Sequence, residues 1–178
     1  MNKLSDFEIS LLGILVGRSM HGYQIHKELS EKLPIQYVLK LKIANLYAML
    51  NKLENSGLID ASYSQEGKRP NRKIFGLTKK GSDLFYKWLD QPVQHGRDFR
   101  VIFLLKLFFC LQHHSSEIKH LISSQIDECN KWMKKVDDFE KNHTTDDKFV
   151  SYIVEFRRIQ ISSYMTWLQW CANKTIVE

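Results

Sequence analysis

Residues 45–77 read NLYAMLNKLENSGLIDASYSQEGKRPNRKIFGL, and this stretch determines how the rest of the chain is interpreted. Apolar side chains recur on one face at helical spacing, at Leu46, Met49, Leu50 and Leu53. This period predicts an amphipathic helix. Gly57 follows where such a helix needs a stop, because glycine readily takes the left-handed backbone conformation that ends helices.

Two short β-prone runs come next, at residues 59–63 and 73–77. The segment 65–72 between them contains Gly, Pro and Asn together with several cations, which is typical of a solvated turn. The pattern therefore predicts a β-hairpin with a basic tip. A polar-faced helix beside a cationic hairpin suits a DNA major groove flanked by phosphates.

The charge distribution agrees with a polyanionic partner. The chain of 178 residues has a formal net charge of +6, and residues 1–92 hold 14 Lys or Arg against 9 Asp or Glu, whereas residues 93–178 hold 12 against 11. Between residues 65 and 80 there are six cations and one acid, Glu66. A basic surface alone would be unremarkable, but its coincidence with the helix and hairpin favours nucleic-acid binding.

The segments before and after this region complete a winged helix-turn-helix over residues 1–92. Ser5 and Glu8 have capping-box spacing ahead of a densely apolar run that ends at Gly17, which predicts a buried first helix. Residues 21–29 predict a second helix. Thr78 is a suitable N-cap for a further helix that ends before Pro92.

Residues 93–178 are expected to form a separate helical dimerisation domain. An apolar helix over 99–111 precedes two long amphipathic helices. Their apolar positions run from Ile118 to Val136 and from Phe149 to Leu168, with a turn predicted at residues 143–147. So long a pair with little core of its own favours a homodimer, and a monomer in which the pair folds back is the alternative. The predicted fold is mainly α: an N-terminal winged helix-turn-helix with a two-stranded β-wing, and a C-terminal helical dimerisation domain.

Several function classes are disfavoured by the sequence. Recurrent enzyme motifs are absent, so we expect no catalytic residues and no cofactor. His113, His114 and His120 have no carboxylate or cysteine at a recurrent ligand spacing, so no metal is expected. The three cysteines are odd in number and far apart, and the longest apolar run is too short to span a bilayer. These features predict a cytoplasmic protein with no membrane partner.

The chain resembles the PadR-like family of winged-helix transcriptional regulators. The resemblance rests on the order of several short pieces: residues 11–15, His21-Gly22-Tyr23-Gln24-Ile25, Leu46-Tyr47, Gly57-Leu58-Ile59, residues 67–73, residues 77–81, Trp88-Leu89, Arg97-Asp98 and residues 104–109. The long two-helix C-terminal half resembles the branch that includes a virulence-gene activator. The resemblance implies a homodimeric regulator of transcription that binds double-stranded DNA at an inverted-repeat operator. The sequence departs from the family at Lys42-Ile43-Ala44, which offers no N-cap hydroxyl, and at Ala48, where Pro is frequent.

The expected DNA contacts come from the helix and the hairpin. Asn45 and Tyr47 should face the major groove with Lys40 and Lys42 near phosphates, and the wing should contribute Lys68, Arg69, Asn71 and Arg72. Tyr47 has an equally good alternative, in which its ring packs into the domain. A winged-helix protein-interaction module without DNA-binding activity is the alternative function. It predicts an apolar or acidic face on the 42–57 helix, where the sequence has Lys and Asn.

A small aromatic effector is a further hypothesis, which the family resemblance permits. His21, Tyr23, Arg97 and Trp167 could line a cleft between the two halves, with Arg97 pairing a carboxylate. In the alternative interpretation, the tryptophans of the C-terminal half are simply packing residues of a dimer interface, where such residues are enriched. The sequence favours that second interpretation.

Overall fold

The computed structural model describes residues 4–32, 34–38, 41–64, 72–143 and 148–174. The N-terminal half is a winged helix-turn-helix. Its elements, in chain order, are α1 (Asp6–Ser10) continued by a 3-10 turn (Leu11–Leu15), β1 (Met20–His21), α2 (Gly22–Lys27) continued by a π-helical turn (Glu28–Lys32), a 3-10 turn (Pro34–Tyr37), α3 (Ile43–Asn55), β2 (Ile59–Ser64), β3 (Arg72–Leu77) and α4 (Lys79–Leu89).

The C-terminal half is helical, as predicted. Its elements are α5 (Gly96–Asp98), a π-helical turn (Phe99–Phe103), α6 (Leu104–His113), a 3-10 turn (Ser115–Glu117), α7 (Ile118–Lys141) and α8 (Lys148–Lys174). α7 ends at Lys141, just before the predicted turn at 143–147, of which residues 144–147 lie outside the described residues. Arg158 of α8 joins the two long helices by donating to Asp137 and Glu140 of α7. Within the described residues no helix is both long and apolar enough to cross a membrane.

The helix ends that local sequence signals predicted are confirmed. Ser5 and Glu8 form the capping box of α1. Gly57 has a φ of 67°, and after it the Leu58 amide donates to the Leu53 carbonyl at 3.0 Å. This pairing is a Schellman-type end, which satisfies carbonyls that the last turn of α3 would otherwise leave open.

The sheet has one strand more than the sequence predicted. The hairpin of β2 and β3 is the expected two-stranded wing, but β1 adds to the other edge of β3, giving the order β1-β3-β2 with all pairs antiparallel. In this register Met20 lies opposite Phe75. A two-residue strand is too short to show any alternation of apolar and polar residues, so its sequence gives no sign of it.

The hydrophobic core continues from the winged helix into α6. The predicted apolar face of α3 points into the core. Its side chains Leu46, Leu50 and Leu53 are almost completely buried. A Cβ on Gly13 would come within 2.7 Å of both Phe85 of α4 and Phe109 of α6, so this glycine permits the close approach of all three segments. The boundary predicted between residues 92 and 93 remains a prediction, and side chains pack across it.

Candidate nucleic-acid interface

The exposed positions of α3 carry no carboxylate and several polar side chains, alongside the apolar Ile43 and two alanines. Lys42, Asn45, Asn51 and Asn55 are exposed along α3. The only acid of α3, Glu54, is half-buried and pairs with Lys73 of β3 at 2.5 Å, so its charge is neutralised by the neighbouring strand. Amide side chains and a cation on one helical face are suited to base edges and phosphates, which present hydrogen-bond acceptors and negative charge.

The start of α3 leaves backbone donors available to a ligand. Lys42 occupies the N-cap position, and its side chain forms no capping hydrogen bond. The first amides of a helix have no partners within the helix, and the helix dipole places partial positive charge at the same end. An uncapped N-terminus beside Lys42 therefore suits a phosphate. The second lysine of α3, Lys52, points elsewhere and pairs with Glu8 at 2.8 Å.

Tyr47 packs against the domain and yet stays partly exposed. Its ring lies so close to Gly22 that a Cβ there would be 2.6 Å from it. Even so, the side chain keeps 41% of its surface exposed. The ring thus packs on the start of α2 while part of it lies at the edge of the polar face. Gly22 is needed for this contact, because any larger residue would push Tyr47 outward.

A cleft of about 490 Å³ lies between α3 and the wing. Tyr47 and Asn51 line it from α3, His21 and Tyr23 from the start of α2, and Arg72 from β3. The His21 ring nitrogen lies 3.2 Å from the Lys73 carbonyl and so ties the start of α2 to the wing. Arg72 is exposed at the base of the wing. The other predicted contacts, Lys40, Lys68, Arg69 and Asn71, lie outside the described residues.

Two family models match this chain, one to each half. The model described as "Transcriptional regulator PadR-like family" matches residues 11–87, and the model described as "Virulence activator alpha C-term" matches residues 99–174. The chain belongs to the PadR-like family. Both parts of the resemblance inferred from the sequence are thereby confirmed, as is the winged-helix fold class with a helical C-terminal half.

Individual relatives of this PadR-like chain are distant. An uncharacterised protein of Lysinibacillus sphaericus is 27% identical over 84 residues, which span 45% of this chain and 75% of that protein. The crystal structure of Bacillus subtilis PadR in complex with operator DNA is 21% identical, covers 96% of this chain and 99% of its own, and has a TM-score of 0.49. A PadR family transcription regulator from Clostridium difficile R20291 is 27% identical and has a TM-score of 0.40. The match covers 47% of this chain and 82% of the Clostridium difficile chain.

The four residues predicted for an aromatic effector do not lie in one cavity of the PadR-like chain. His21 and Tyr23 line the cleft between α3 and the wing. Arg97 lines a different cavity, formed by the C-terminal helices. Trp167 packs its ring edge-on against Phe99 and Phe103, with centroids 5.8 and 6.1 Å apart. The placement of Trp167 is that of a packing residue.

A buried lysine connects the two halves, and the sequence reasoning missed it. Lys106 of α6 is 2% exposed, donates to the Trp88 carbonyl and lies 3.8 Å from the centroid of the Trp88 ring. Burial lowers the pKa of its ammonium to about 7, although Asp6 and Asp90 oppose this shift. The sequence has one signal for it, which is a single lysine within the apolar run of α6.

The histidines considered as metal ligands have other surroundings. His113 places its ring nitrogen 3.1 Å from the Gly13 carbonyl, and burial lowers its pKa, although the bond to that carbonyl acts the other way. His114 lies 3.8 Å from Asp90. In the part of the chain that the structure describes, no group of three or more His, Cys, Asp or Glu is arranged to hold a metal ion.

Proposed function

We propose that this chain is a DNA-binding transcriptional regulator that acts as a homodimer on an inverted-repeat operator. The main support for DNA binding is the exposed face of α3. This face has amides and a lysine but no acid, and it lies beside exposed Arg72 of the wing. Membership of a family of transcriptional regulators supports the same role. The base contacts are assigned to Asn45 and, at the edge of the face, to Tyr47.

Phosphate contacts are assigned to the flanks of that face. Lys42 and the free amides at the start of α3 would hold one phosphate, and Arg72 would hold another from the wing. Lys40, Lys68, Arg69 and Asn71 are proposed to extend these contacts. Because such contacts carry charge but no sequence information, they should set affinity and register while α3 sets specificity.

The homodimer is supported by an apolar stripe along α8. Phe149 and Tyr152 are each 70% exposed, Phe156 is 63% exposed and Ile159, at the end of the stripe, is 61% exposed. Its spacing of three and four residues is that of a helix-packing seam. A contiguous apolar patch of this kind is uncommon on a monomer, because it would gain free energy by leaving water. A second copy of the same stripe is a partner of matching chemistry.

Dimer symmetry has a consequence for the DNA site. Two α3 helices related by a two-fold axis should enter successive major grooves about 34 Å apart, or a multiple of that distance. The operator should then be an inverted repeat. We propose no catalytic role for the chain, and no effector is needed for this account of DNA binding.

The experiment that tests DNA binding measures the affinity of the full chain for DNA from upstream of its own coding sequence. A scrambled fragment of the same composition serves as the control, at one fixed salt concentration, because affinities at different salt are not comparable. We expect the upstream fragment to bind at least about a thousandfold more tightly, in line with operator-specific proteins. Equal, weak binding to both would instead support the protein-interaction module.

A further inference from the structure

The chain passes from the winged helix to the C-terminal half through residues 90–98, which we call the linking segment. Apart from the single turn of α5, this segment has no regular structure. Pro92 restricts its backbone, because the proline ring fixes φ. Val93 is only 4% exposed, so the segment enters the core at this residue. Such a segment can fix the orientation of the two halves only if its own backbone is held in place.

Gln125 of α7 holds the linking segment at Val93 with both ends of its amide. Its Oε1 accepts from the Val93 N–H at 2.8 Å, and its Nε2 donates to the Val93 carbonyl at 3.3 Å. The Gln125 side chain is completely buried, with an exposed fraction of 0%. Because an unpaired polar group in the core is costly, Gln125 and the Val93 backbone each penalise any movement that separates them.

Two further side chains hold the next residues of the segment. Trp132 of α7 donates its Nε1–H to the Gln94 carbonyl at 3.1 Å. The Tyr164 hydroxyl of α8 donates to the Gly96 carbonyl at 3.3 Å. The Tyr164 ring also stacks on Phe99, with centroids 4.1 Å apart. The end of the linking segment is therefore fixed to both long helices.

The donors come from three different helices of the C-terminal half. Gln125 and Trp132 are seven positions apart on α7, and two helical turns place them on the same face. Lys106 of α6 donates to the carbonyl of Trp88, in the last turn of α4. Side chains of α6, α7 and α8 thus each bind the backbone of residues 88–96. The half to which we assign dimerisation thereby holds the segment that carries the winged helix.

We propose that Gln125 is a positioning residue for DNA recognition, which holds Val93 and so restricts the spacing between half-sites that one dimer accepts. This role rests on the proposed function, because spacing matters only to a dimer that reads two half-sites. One extra base pair moves the half-sites about 3.4 Å further apart and rotates one of them by about 35° around the DNA axis. A winged helix on a free joint could follow that change. With Val93 held by Gln125, following it requires breaking buried hydrogen bonds.

Gln125→Met is the first test. Methionine has a similar length but no amide, so the Val93 backbone loses both bonds while the core stays filled. The affinity of the full chain is measured for the selected operator, for the same operator with two base pairs inserted between the half-sites, and for a single half-site, at one salt concentration. We expect the native chain to prefer the original spacing at least about tenfold, and Gln125→Met to prefer it less than about threefold. Binding to the single half-site should not change, since α3 is untouched.

Two other variants make this comparison specific. Tyr164→Phe removes one hydroxyl and keeps the ring on Phe99, so it should fold normally and reduce the spacing preference about threefold. Gln112→Met is the matched control, because Gln112 is an exposed glutamine near the end of α6 and should keep the native preference. Sedimentation equilibrium checks that all variants remain dimeric.

The possible outcomes separate the role of Gln125 from the proposed function. If the native chain binds operator and scrambled DNA equally, the proposed function fails and the role of Gln125 fails with it. If the native chain binds the operator but accepts both spacings equally, only the role of Gln125 is overturned. The same holds if Gln125→Met keeps the native preference, or if it loses affinity equally for the operator and the single half-site. Should Gln125→Met not fold, Tyr164→Phe decides: a native spacing preference in that variant overturns the role.

Discussion

The two halves of the molecule expose opposite kinds of surface. In the winged helix, the leucines of α3 are buried and its amides and Lys42 are exposed. In the C-terminal half, α8 exposes a row of large apolar residues, while its Arg158 is held by two acids of α7. The first surface suits a charged, hydrated partner and the second an apolar one. One chain therefore exposes two surfaces that suit partners of different chemistry.

The largest effect should come from placing a charge in the apolar stripe. Phe156→Glu would bury a carboxylate in each copy of the proposed interface, with no partner to offset its desolvation. We expect the dimer dissociation constant to rise at least about a hundredfold, since losing one buried Phe costs about 3 kcal/mol or more. Sedimentation equilibrium would measure it.

Ser162→Glu is the matched control for that variant. Ser162 is exposed on α8 but lies off the stripe, so the same charge there should leave the dimer intact. If Phe156→Glu remained as dimeric as the native chain, the stripe would not be the dimer interface. The apolar surface of α8 would then have no assigned partner.

The stability of the folded chain should depend on pH through Lys106, which is buried where the two halves meet. Its pKa in the folded chain, about 7, lies below the ordinary value of 10.5. Between these two values the unfolded chain binds more protons, so the free energy of unfolding should rise with pH. Lys106→Met should flatten that rise, which denaturant titrations at pH 7 and pH 9.5 would measure.

Lys87→Met provides the comparison for Lys106→Met, because Lys87 is an exposed lysine of α4. It should retain the native pH dependence. If the native chain and Lys106→Met gained the same stability between pH 7 and pH 9.5, the buried ammonium would have no part in the coupling of stability to pH.

Asn45→Ala tests whether the polar surface of α3 reads DNA bases. If Asn45 reads a base edge, its loss should cost about 1–3 kcal/mol on the operator and little on scrambled DNA. Asn55→Ala, at the far end of the same exposed face, should have a smaller effect on specificity. Competition binding with both DNA fragments measures the change. A uniform loss on both fragments would reassign Asn45 to a phosphate.

The smallest change is expected for Arg72→Ala. Losing one phosphate contact should lower affinity similarly for every DNA sequence and reduce the slope of log affinity against log salt by about one. Lys87→Ala removes an exposed cation of the same half that does not line the wing cleft and should leave the slope as it is. An unchanged slope for Arg72→Ala would remove Arg72 from the interface.

Local patterns in the sequence predicted much of this structure. The capping box of Ser5 and Glu8, the turn at Gly57 and the buried face of α3 depend on residues near one another in the chain. Their physical causes are complete within a few residues, so a single sequence contains them. The order of elements in the winged helix follows from the same signals.

Features that depend on distant residues were not predicted. Strand β1 exists because β3 offers a free edge, and Lys106 is buried because α4 and α6 close over it. The cavity between α7 and α8 joins residues about 60 positions apart in the chain, from Arg97 to Arg157. In the same way, the proposed effector residues were grouped by type, although the fold places Arg97 far from the cleft of His21. Such groupings depend on tertiary packing, which local periodicity does not specify.

Two copies of the α3 face, held together through α8, should read an inverted repeat. Selection of bound fragments from a random DNA pool by the full chain is the decisive measurement. We expect an enriched inverted repeat whose half-site centres lie about one helical turn, about 34 Å, or a multiple of it apart. Asn45→Ala should enrich a different or weaker motif. Enrichment of no motif, or of a single unrepeated site bound by a monomer, would rule out reading by two α3 helices.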